Sequence, residues 1–127
     1  MTQILQSPGI TLQNTAHTVI PQIGFGTFQI PPEDTQRAVE EALEIGYRHI
    51  DTAAAYYNEE QVGDALRATG MANKVWVTTK LRNCDQGYDP ARIAFEESRR
   101  KLGVDVVDMY LIHWPFPAVD LYKETWK

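Results

Sequence analysis

The chain has 127 residues, of which 43% are hydrophobic, 10% aromatic and 23% charged, and its formal net charge is -5. This length and composition are typical of one globular domain, spanning residues 1–127, and they exclude a disordered or collagen-like chain. Basic residues cluster only at residues 99–101, so we expect no nucleic-acid partner and no membrane partner. With one cysteine and no secretion-signal pattern at the amino terminus, the chain is expected to be cytoplasmic.

After residue 20 the sequence alternates short apolar runs with amphipathic segments, which predicts parallel strands connected by helices. The predicted strands span residues 23–28, 49–53, 75–81 and 106–114. The predicted helices lie within residues 31–46, 58–70 and 89–103, and a fourth begins within residues 115–127. A glycine closes each of the first three, at Gly46, Gly70 and Gly103. The apolar residues at helical spacing, which are expected to face the core, are Ala38, Val39, Ala42, Leu43, Val62, Ala65, Leu66, Ala91, Phe95 and Leu102.

Two helix starts carry capping signals. Asn58 and Gln61 have the spacing of a capping box, which predicts that the Asn58 side chain caps the second helix. Asp89 precedes Pro90 in the pattern of an N-cap followed by the first helical residue. The third helix is therefore expected to begin at residue 90.

The strand and helix order fits two architectures, an open doubly wound sheet or a barrel. An open dinucleotide-binding sheet requires a third glycine after the first strand, where this chain has Gln29 after Gly24 and Gly26. Residues 10–14 and 17–22 resemble a small hairpin that could close the bottom of a barrel. The pattern therefore favours a (β/α)8 barrel, of which the chain covers the amino-terminal hairpin, three βα units and the fourth strand.

Four polar residues lie at or just beyond the carboxyl ends of successive predicted strands: Asp51, Tyr56, Lys80 and His113. Each has an ordinary structural explanation when taken alone, such as rim packing or a hydrogen-bonded core histidine. Parallel barrels, however, bring those strand ends together in one site. We therefore expect the four side chains to converge.

Their chemistry suggests carbonyl reduction. A tyrosine hydroxyl is a weak acid at neutral pH, and the ammonium of Lys80 would stabilise the phenolate that Tyr56 forms on giving up its proton. Asp51 would keep that lysine charged, and His113 would orient a substrate oxygen. The single cysteine and three scattered histidines show no metal-ligand spacing, so we expect no metal.

The segments GFGTF, GYRHIDTAAAYYNE, VTTKL and YLIHWP, in this order, resemble the amino-terminal half of an aldo-keto reductase, most closely the bacterial 2,5-diketo-D-gluconate reductase group. The resemblance implies a (β/α)8 barrel that reduces aldehydes or ketones with NADPH, or with NADH as the alternative. It matches Asp51, Tyr56, Lys80 and His113 to the catalytic tetrad, with Tyr56 as general acid.

The same resemblance implies the binding residues. Gly26, Thr27, Phe28 and Asp51 match cofactor-binding positions. Phe28, His113 and Trp114 match positions that contact a small carbonyl substrate. The chain departs from the family at Arg82, where tryptophan is common.

Length is the larger departure, because a complete barrel needs about 250 residues. The family is typically monomeric, but half a barrel exposes two sheet edges and an apolar inner face, so we expect the isolated half to associate. Two other functions remain open. One is a nucleotide-binding regulatory protein without turnover, and the other is a Schiff-base aldolase that uses Lys80. Cys84 is expected to be an incidental thiol.

Overall fold

The computed structural model describes residues 8–12 and 19–127, and its centre is a four-stranded parallel sheet. The strands of this sheet, in spatial and sequence order, are β3 (Phe25–Gly26), β4 (His49–Asp51), β5 (Trp76–Leu81) and β6 (Met109–Ile112). Each strand pairs with the next one along the chain, which is the strand order of a barrel. An open doubly wound sheet would instead contain a point at which the strand order reverses. The predicted α/β class and parallel order are confirmed.

Helices connect the strands at the predicted places. They are α1 (Pro32–Ile45), α2 (Glu59–Thr69), α3 (Tyr88–Leu102) and the short α4 (Tyr122–Trp126). The predicted closing glycines follow α1, α2 and α3 in left-handed conformations, with φ of 120°, 68° and 65°. Glycine adopts this conformation without a Cβ penalty, which is why each helix ends there.

The core lies between the helices and the outer face of the sheet. Its fully buried residues include Val39 from α1, Ile50 from β4 and Leu66 from α2. Val62 and Ala65 are also fully buried, so the predicted inward face of α2 is confirmed. In α3 the predicted stripe is buried at Ala91 and Leu102 but only half-buried at Phe95.

The contact between α2 and α3 is close because Gly63 has no side chain. A Cβ at Gly63 would overlap the Lys101 carbonyl oxygen. The two helix backbones can approach one another only with glycine at this position. This approach brings the α3 residue Ser98 near the start of α2.

The predicted hairpin forms from β1 (Gly9–Thr11) and β2 (Val19–Pro21), which pair antiparallel with Ile10 opposite Ile20. The rest of the predicted hairpin segment, residues 13–18, lies outside the described residues. His49 joins the hairpin to the sheet, because its Nδ1 lies 3.4 Å from the Pro21 oxygen and its Nε2 lies 2.9 Å from Thr78 Oγ1.

Three predictions of local structure need correction. The strands are shorter than the apolar runs, because neighbouring strands pair only over the residues given above. The Asn58 side chain does not cap α2, since tertiary contacts engage it instead. Helix α3 begins at Tyr88 after Gly87, so Asp89 lies in its first turn rather than at its N-cap.

Among residues 8–12 and 19–127, no helix is both long enough and apolar enough to cross a membrane.

Candidate active site

The carboxyl ends of β3 to β6 form one edge, and the strand register places the candidate residues along it. Gly26 pairs with Asp51, and Lys80 on β5 pairs with Leu111 on β6, two residues before His113. Parallel pairing thus brings together side chains that are far apart in sequence. All four residues of the predicted tetrad meet at this edge.

Lys80 is at the centre of the cluster. Its Nζ donates to Asp51 Oδ2 at 2.8 Å, to the Thr52 carbonyl oxygen at 2.8 Å and to Tyr56 Oη at 3.3 Å. The Lys80 side chain is only 12% exposed, whereas that of Asp51 is 37% exposed. The carboxylate and the carbonyl oxygen compensate the ammonium for its partial loss of water. A positive charge is therefore held against the phenol oxygen.

Local backbone geometry decides which of two adjacent tyrosines faces this charge. A 3-10 turn at Ala54–Tyr56 follows β4, and Tyr57 comes next in a left-handed conformation with φ of 56°. The reversal points Tyr56 toward Lys80 and leaves Tyr57 73% exposed. The resemblance that matched Tyr56 to the tetrad agrees with this geometry.

His113 lies beside the phenol on its other side. The His113 and Tyr56 rings meet edge to face with centroids 5.6 Å apart. Burial lowers the pKa of His113 from its ordinary value, the nearby Lys80 lowers it further, and Asp51 partly opposes both effects. At neutral pH the imidazole is therefore uncharged, with one nitrogen able to donate a hydrogen bond.

Aromatic side chains border the cluster. The Phe28 ring lies 5.1 Å from that of Tyr56, and Trp114 stacks on His113 with centroids 6.5 Å apart. Phe28 is 64% exposed and Trp114 is 63% exposed, so both offer apolar surface to a molecule bound between them. Beside them Gly26 faces open space, with no atom within 4 Å of where a Cβ would lie.

Thr27 has a different role from its neighbours, because it is fully buried. Its hydroxyl donates to Thr52 Oγ1 at 2.8 Å and also lies 3.3 Å from Asn58 Oδ1. The Asn58 Nδ2 in turn donates to the Thr27 and Ile30 carbonyl oxygens at 2.9 and 3.2 Å. This network joins the loop that carries Phe28 to the segment that carries Tyr56.

Sequence reasoning missed the role of Asn58 because its partners belong to a loop about 30 residues away. The capping-box spacing offered a local explanation, and nothing in the pattern indicated a distant one. The only available signal was the placement of Asn58 two residues after Tyr56.

Glu59 is a second residue that sequence reasoning missed. It is 3% exposed, and its carboxylate accepts hydrogen bonds from Thr79 Oγ1 at 2.7 Å and from Ser98 Oγ at 3.1 Å. Burial raises the pKa of Glu59, which the two hydroxyl donors partly oppose. The residue ties the start of α2 to β5 and α3 beneath the site.

Two further residues of the β5–α3 loop were singled out by sequence. The Arg82 Nε donates to Asp85 Oδ2 at 2.7 Å, and this hydrogen bond raises the pKa of Arg82 further above its usual range. The Arg82 guanidinium is thus paired with a carboxylate of the same loop. Cys84 is exposed, and no group of three or more His, Cys, Asp or Glu in the described ranges could hold a metal.

Comparison with known proteins agrees with this fold and site. A sequence model of the Aldo/keto reductase family matches residues 22–127. An aldo-keto reductase from Mycobacterium sp. (strain KMS) is 56% identical over 109 residues, which are 85% of this chain and 40% of that protein. The chain belongs to the aldo/keto reductase family, and it spans about two fifths of the length of this curated relative.

Solved structures give the same result. The aldo/keto reductase from Brucella melitensis superposes with a TM-score of 0.88 at 50% identity, over 98% of this chain and 47% of that one. A D53A mutant of Gox0644, solved in complex with NADPH, has a TM-score of 0.87 at 43% identity, over 96% and 43% of the two chains. The sheet and helices described above are therefore an amino-terminal part of the family's (β/α)8 barrel, as predicted.

The expected subgroup is represented as well. A structure named after 2,5-diketo-D-gluconic acid reductase B matches with a TM-score of 0.73 at 41% identity, over 76% of this chain and 34% of that one.

Proposed function

We propose that the protein carrying this chain is an NADPH-dependent oxidoreductase that reduces aldehydes or ketones to alcohols. The observation that carries the proposal is the contact of the Lys80 ammonium with both the Asp51 carboxylate and the Tyr56 phenol oxygen. Membership of the aldo/keto reductase family and the NADPH complex of Gox0644 support it. We further propose that residues 1–127 correspond to the amino-terminal half of one barrel domain.

Tyr56 is proposed as the general acid. When hydride adds to a carbonyl carbon, negative charge develops on the carbonyl oxygen, which then needs a proton. The Tyr56 hydroxyl supplies that proton, and the Lys80 ammonium at 3.3 Å stabilises the phenolate left behind. Asp51 supports this arrangement by balancing the lysine charge.

His113 is proposed to orient the substrate. Its lowered pKa keeps the imidazole neutral, so it can donate one hydrogen bond to the carbonyl oxygen without competing as an acid. The exposed rings of Phe28 and Trp114 would enclose the apolar part of the substrate. Together with Tyr56, these residues place the carbonyl oxygen where the proton is delivered.

The residues present fit the expected cofactor on one side of the site. Open space over Gly26 lies next to Asp51, whose side chain keeps more than a third of its surface exposed. When bound, NADPH supplies the hydride for the carbonyl carbon. We propose that Gly26, Phe28 and Asp51 contact it, whereas the buried Thr27 holds their loop in place through Thr52 and Asn58.

The aldolase alternative is disfavoured by the lysine contacts. A Schiff base requires a free amine that can attack a carbonyl carbon, but Lys80 Nζ is engaged in contacts with three oxygen atoms, one of them a carboxylate oxygen. Borohydride treatment in the presence of a carbonyl substrate should therefore leave no adduct on Lys80.

A cytoplasmic location is proposed with the reductase function, since the one cysteine, Cys84, suits a reducing compartment.

The test is NADPH oxidation, followed by absorbance at 340 nm, with a panel of aldehydes and ketones. We expect oxidation that depends on the carbonyl substrate and yields the alcohol in equal amount. If NADPH binds, as judged by a change in its fluorescence, but no carbonyl is reduced, the regulatory alternative replaces the reductase proposal.

A further inference from the structure

A glutamine outside the proposed tetrad connects two loops at the mouth of the site. The first is the β5–α3 loop, residues 82–87, and the second is the β6–α4 loop, residues 113–121. Gln86 Nε2 donates to the carbonyl oxygen of Trp114 at 2.8 Å and to that of Pro115 at 3.3 Å. One buried side chain thus holds the backbone that immediately follows His113.

The chemistry of the partners fixes the orientation of the amide. Both partners are carbonyl oxygens, which only accept, so the nitrogen and not the oxygen of the Gln86 amide must face them. Gln86 is 6% exposed, and its Oε1 has no hydrogen-bond partner among the described residues. A buried unpaired acceptor is destabilising, so what the amide contributes here lies in the two hydrogen bonds that it donates.

The β6–α4 loop requires such ties because its backbone is strained. Phe116 and Asp120 have positive φ angles of 47° and 52°, a left-handed conformation that is unfavourable for a side chain such as that of Phe116. A second tie comes from the Gly87 N–H, which donates to Thr125 Oγ1 at 2.8 Å. Gln86 therefore holds the start of the β6–α4 loop, and Gly87 holds the helix that follows its end.

The β5–α3 loop is itself rigid enough to act as the support. The Arg82–Asp85 ion pair spans its 3-10 turn, and the Asp85 N–H also donates to the Arg82 carbonyl oxygen at 3.1 Å. Trp114, by contrast, is 63% exposed, so apart from its stacking on His113 little packing fixes its indole. The position of that ring depends mainly on where its backbone is held.

We propose that Gln86 is a positioning residue that fixes Trp114 over the candidate site and so determines which carbonyl substrates fit. The substrate part of this proposal rests on the proposed reductase function. The positioning part rests only on the contacts of Gln86 and can be tested without turnover. Gln86 does not touch the reacting atoms and acts through the Trp114 backbone.

The first experiment is fluorine NMR of protein labelled with 5-fluorotryptophan. The Trp114→Phe variant assigns the Trp114 signal, and the buried Trp76 reports whether the fold is intact. In Gln86→Leu we expect the Trp114 signal to shift or broaden while the Trp76 signal stays in place. Gln36→Leu is the control, because the hydrogen bond that Gln36 donates, to Glu40, lies within α1.

The isosteric Gln86→Glu variant decides the matter if Gln86→Leu does not fold. An ionised glutamate cannot donate to two carbonyl oxygens, but a protonated one can donate to one of them. The Trp114 signal should therefore be displaced at pH 8 and return toward the wild-type position as the pH falls. An undisplaced Trp114 signal, or loss of the Trp76 signal in both variants, would overturn the positioning role.

The second experiment compares kcat/KM for a small aldehyde and a bulky ketone. We expect Gln86→Leu to change the ratio of the two by roughly tenfold, mainly through KM for the bulky substrate. An unchanged ratio with a displaced Trp114 signal would overturn the specificity role alone. If the wild-type protein reduces neither substrate, the reductase proposal fails, while the NMR result still decides the positioning role.

Discussion

Tyr56 carries the most direct test of the proposed chemistry. Its hydroxyl contacts Lys80, while its ring packs against Phe28 and His113. Replacement by phenylalanine keeps the ring contacts and removes only the proton donor. We expect Tyr56→Phe to lower kcat by at least about 100-fold, as measured by NADPH oxidation, with little change in the Kd for NADPH.

Tyr57→Phe is the matched control, because Tyr57 is exposed, whereas Tyr56 makes the contact with Lys80. It should retain wild-type turnover. Wild-type turnover in Tyr56→Phe would show that another group supplies the proton.

Lys80 can be tested separately from the tyrosine. Methionine has a similar length but no charge, so Lys80→Met leaves the Asp51 carboxylate without its partner. We expect turnover to fall by at least about 100-fold and the pH profile of any residual rate to change, because the phenolate loses its nearby positive charge. A pH profile that matches wild type would exclude the electrostatic role.

At the scale of single residues, the sequence predicted the site residues whose place depends on a strand end, and it missed the residues that contact distant loops. Asp51, Lys80 and His113 were identified because each lies at the end of a strand, and parallel strands end at one edge. Asn58 and Gln86 escaped because their partners are backbone carbonyls of loops about 30 residues away. Carbonyl oxygens are common to all residues, so they leave no mark in the sequence.

At the scale of elements, Glu59 links α2, β5 and α3, and its burial has a consequence that depends on pH. The raised pKa means that folded chains hold this proton to higher pH than unfolded chains, whose value is near 4.5. The stability that the protonated Glu59 carboxyl contributes is fully present below pH 4.5, and it is lost as the pH rises through the raised pKa of the folded state. Glu59→Gln does not titrate, so its free energy of unfolding relative to wild type should increase between pH 4.5 and neutrality.

Urea denaturation at a series of pH values measures this difference. Glu97→Gln is a control of opposite sign, because the hydrogen bond from Arg100 lowers the pKa of Glu97. Its stability relative to wild type should decrease slightly as the pH rises from the lowered pKa of Glu97 to about 4.5 and stay nearly constant above that, and the change is small because solvent screens this exposed pair. A difference between Glu59→Gln and wild type that stays constant with pH would contradict the assignment.

At helix starts, helical periodicity was a better guide than the side-chain capping signals. The buried face of α2 follows from the spacing of Val62, Ala65 and Leu66, which the burial of all three confirms. The glycine signals at the helix ends held, but both predicted side-chain N-caps failed, because tertiary contacts engage Asn58 and α3 begins one residue before Asp89. The predicted strand boundaries were wrong because backbone pairing, rather than hydrophobicity, decides how far each strand extends.

At the scale of the whole molecule, the sheet has an outer edge on β3 and another on β6 that pair with no strand among the described residues. Leu111 on β6 is 38% exposed, and a groove of about 1300 Å³ runs along α3 beside Tyr110. That groove contains none of the candidate site residues. Unpaired edges with exposed apolar side chains favour association.

We therefore expect the 127-residue chain on its own to form oligomers, as measured by light scattering after size-exclusion chromatography. Leu111→Lys places a charge on the β6 edge and should reduce the association. Ile45→Lys adds the same charge to an exposed apolar position at the end of α1 and should leave it unchanged. A monodisperse monomer at high micromolar concentration would contradict the expectation.

The three contacts of Lys80 also constrain how the site can recognise a molecule. An ammonium has three N–H bonds, and here they are satisfied by a carboxylate, a main-chain carbonyl and a phenol. None remains for an incoming ligand, so a carboxylate or phosphate on the substrate gains no direct hydrogen bond from this cation. Lys80 therefore influences a bound molecule through its charge and through its neighbours Tyr56 and His113, and not as a hydrogen-bonding anchor for anions.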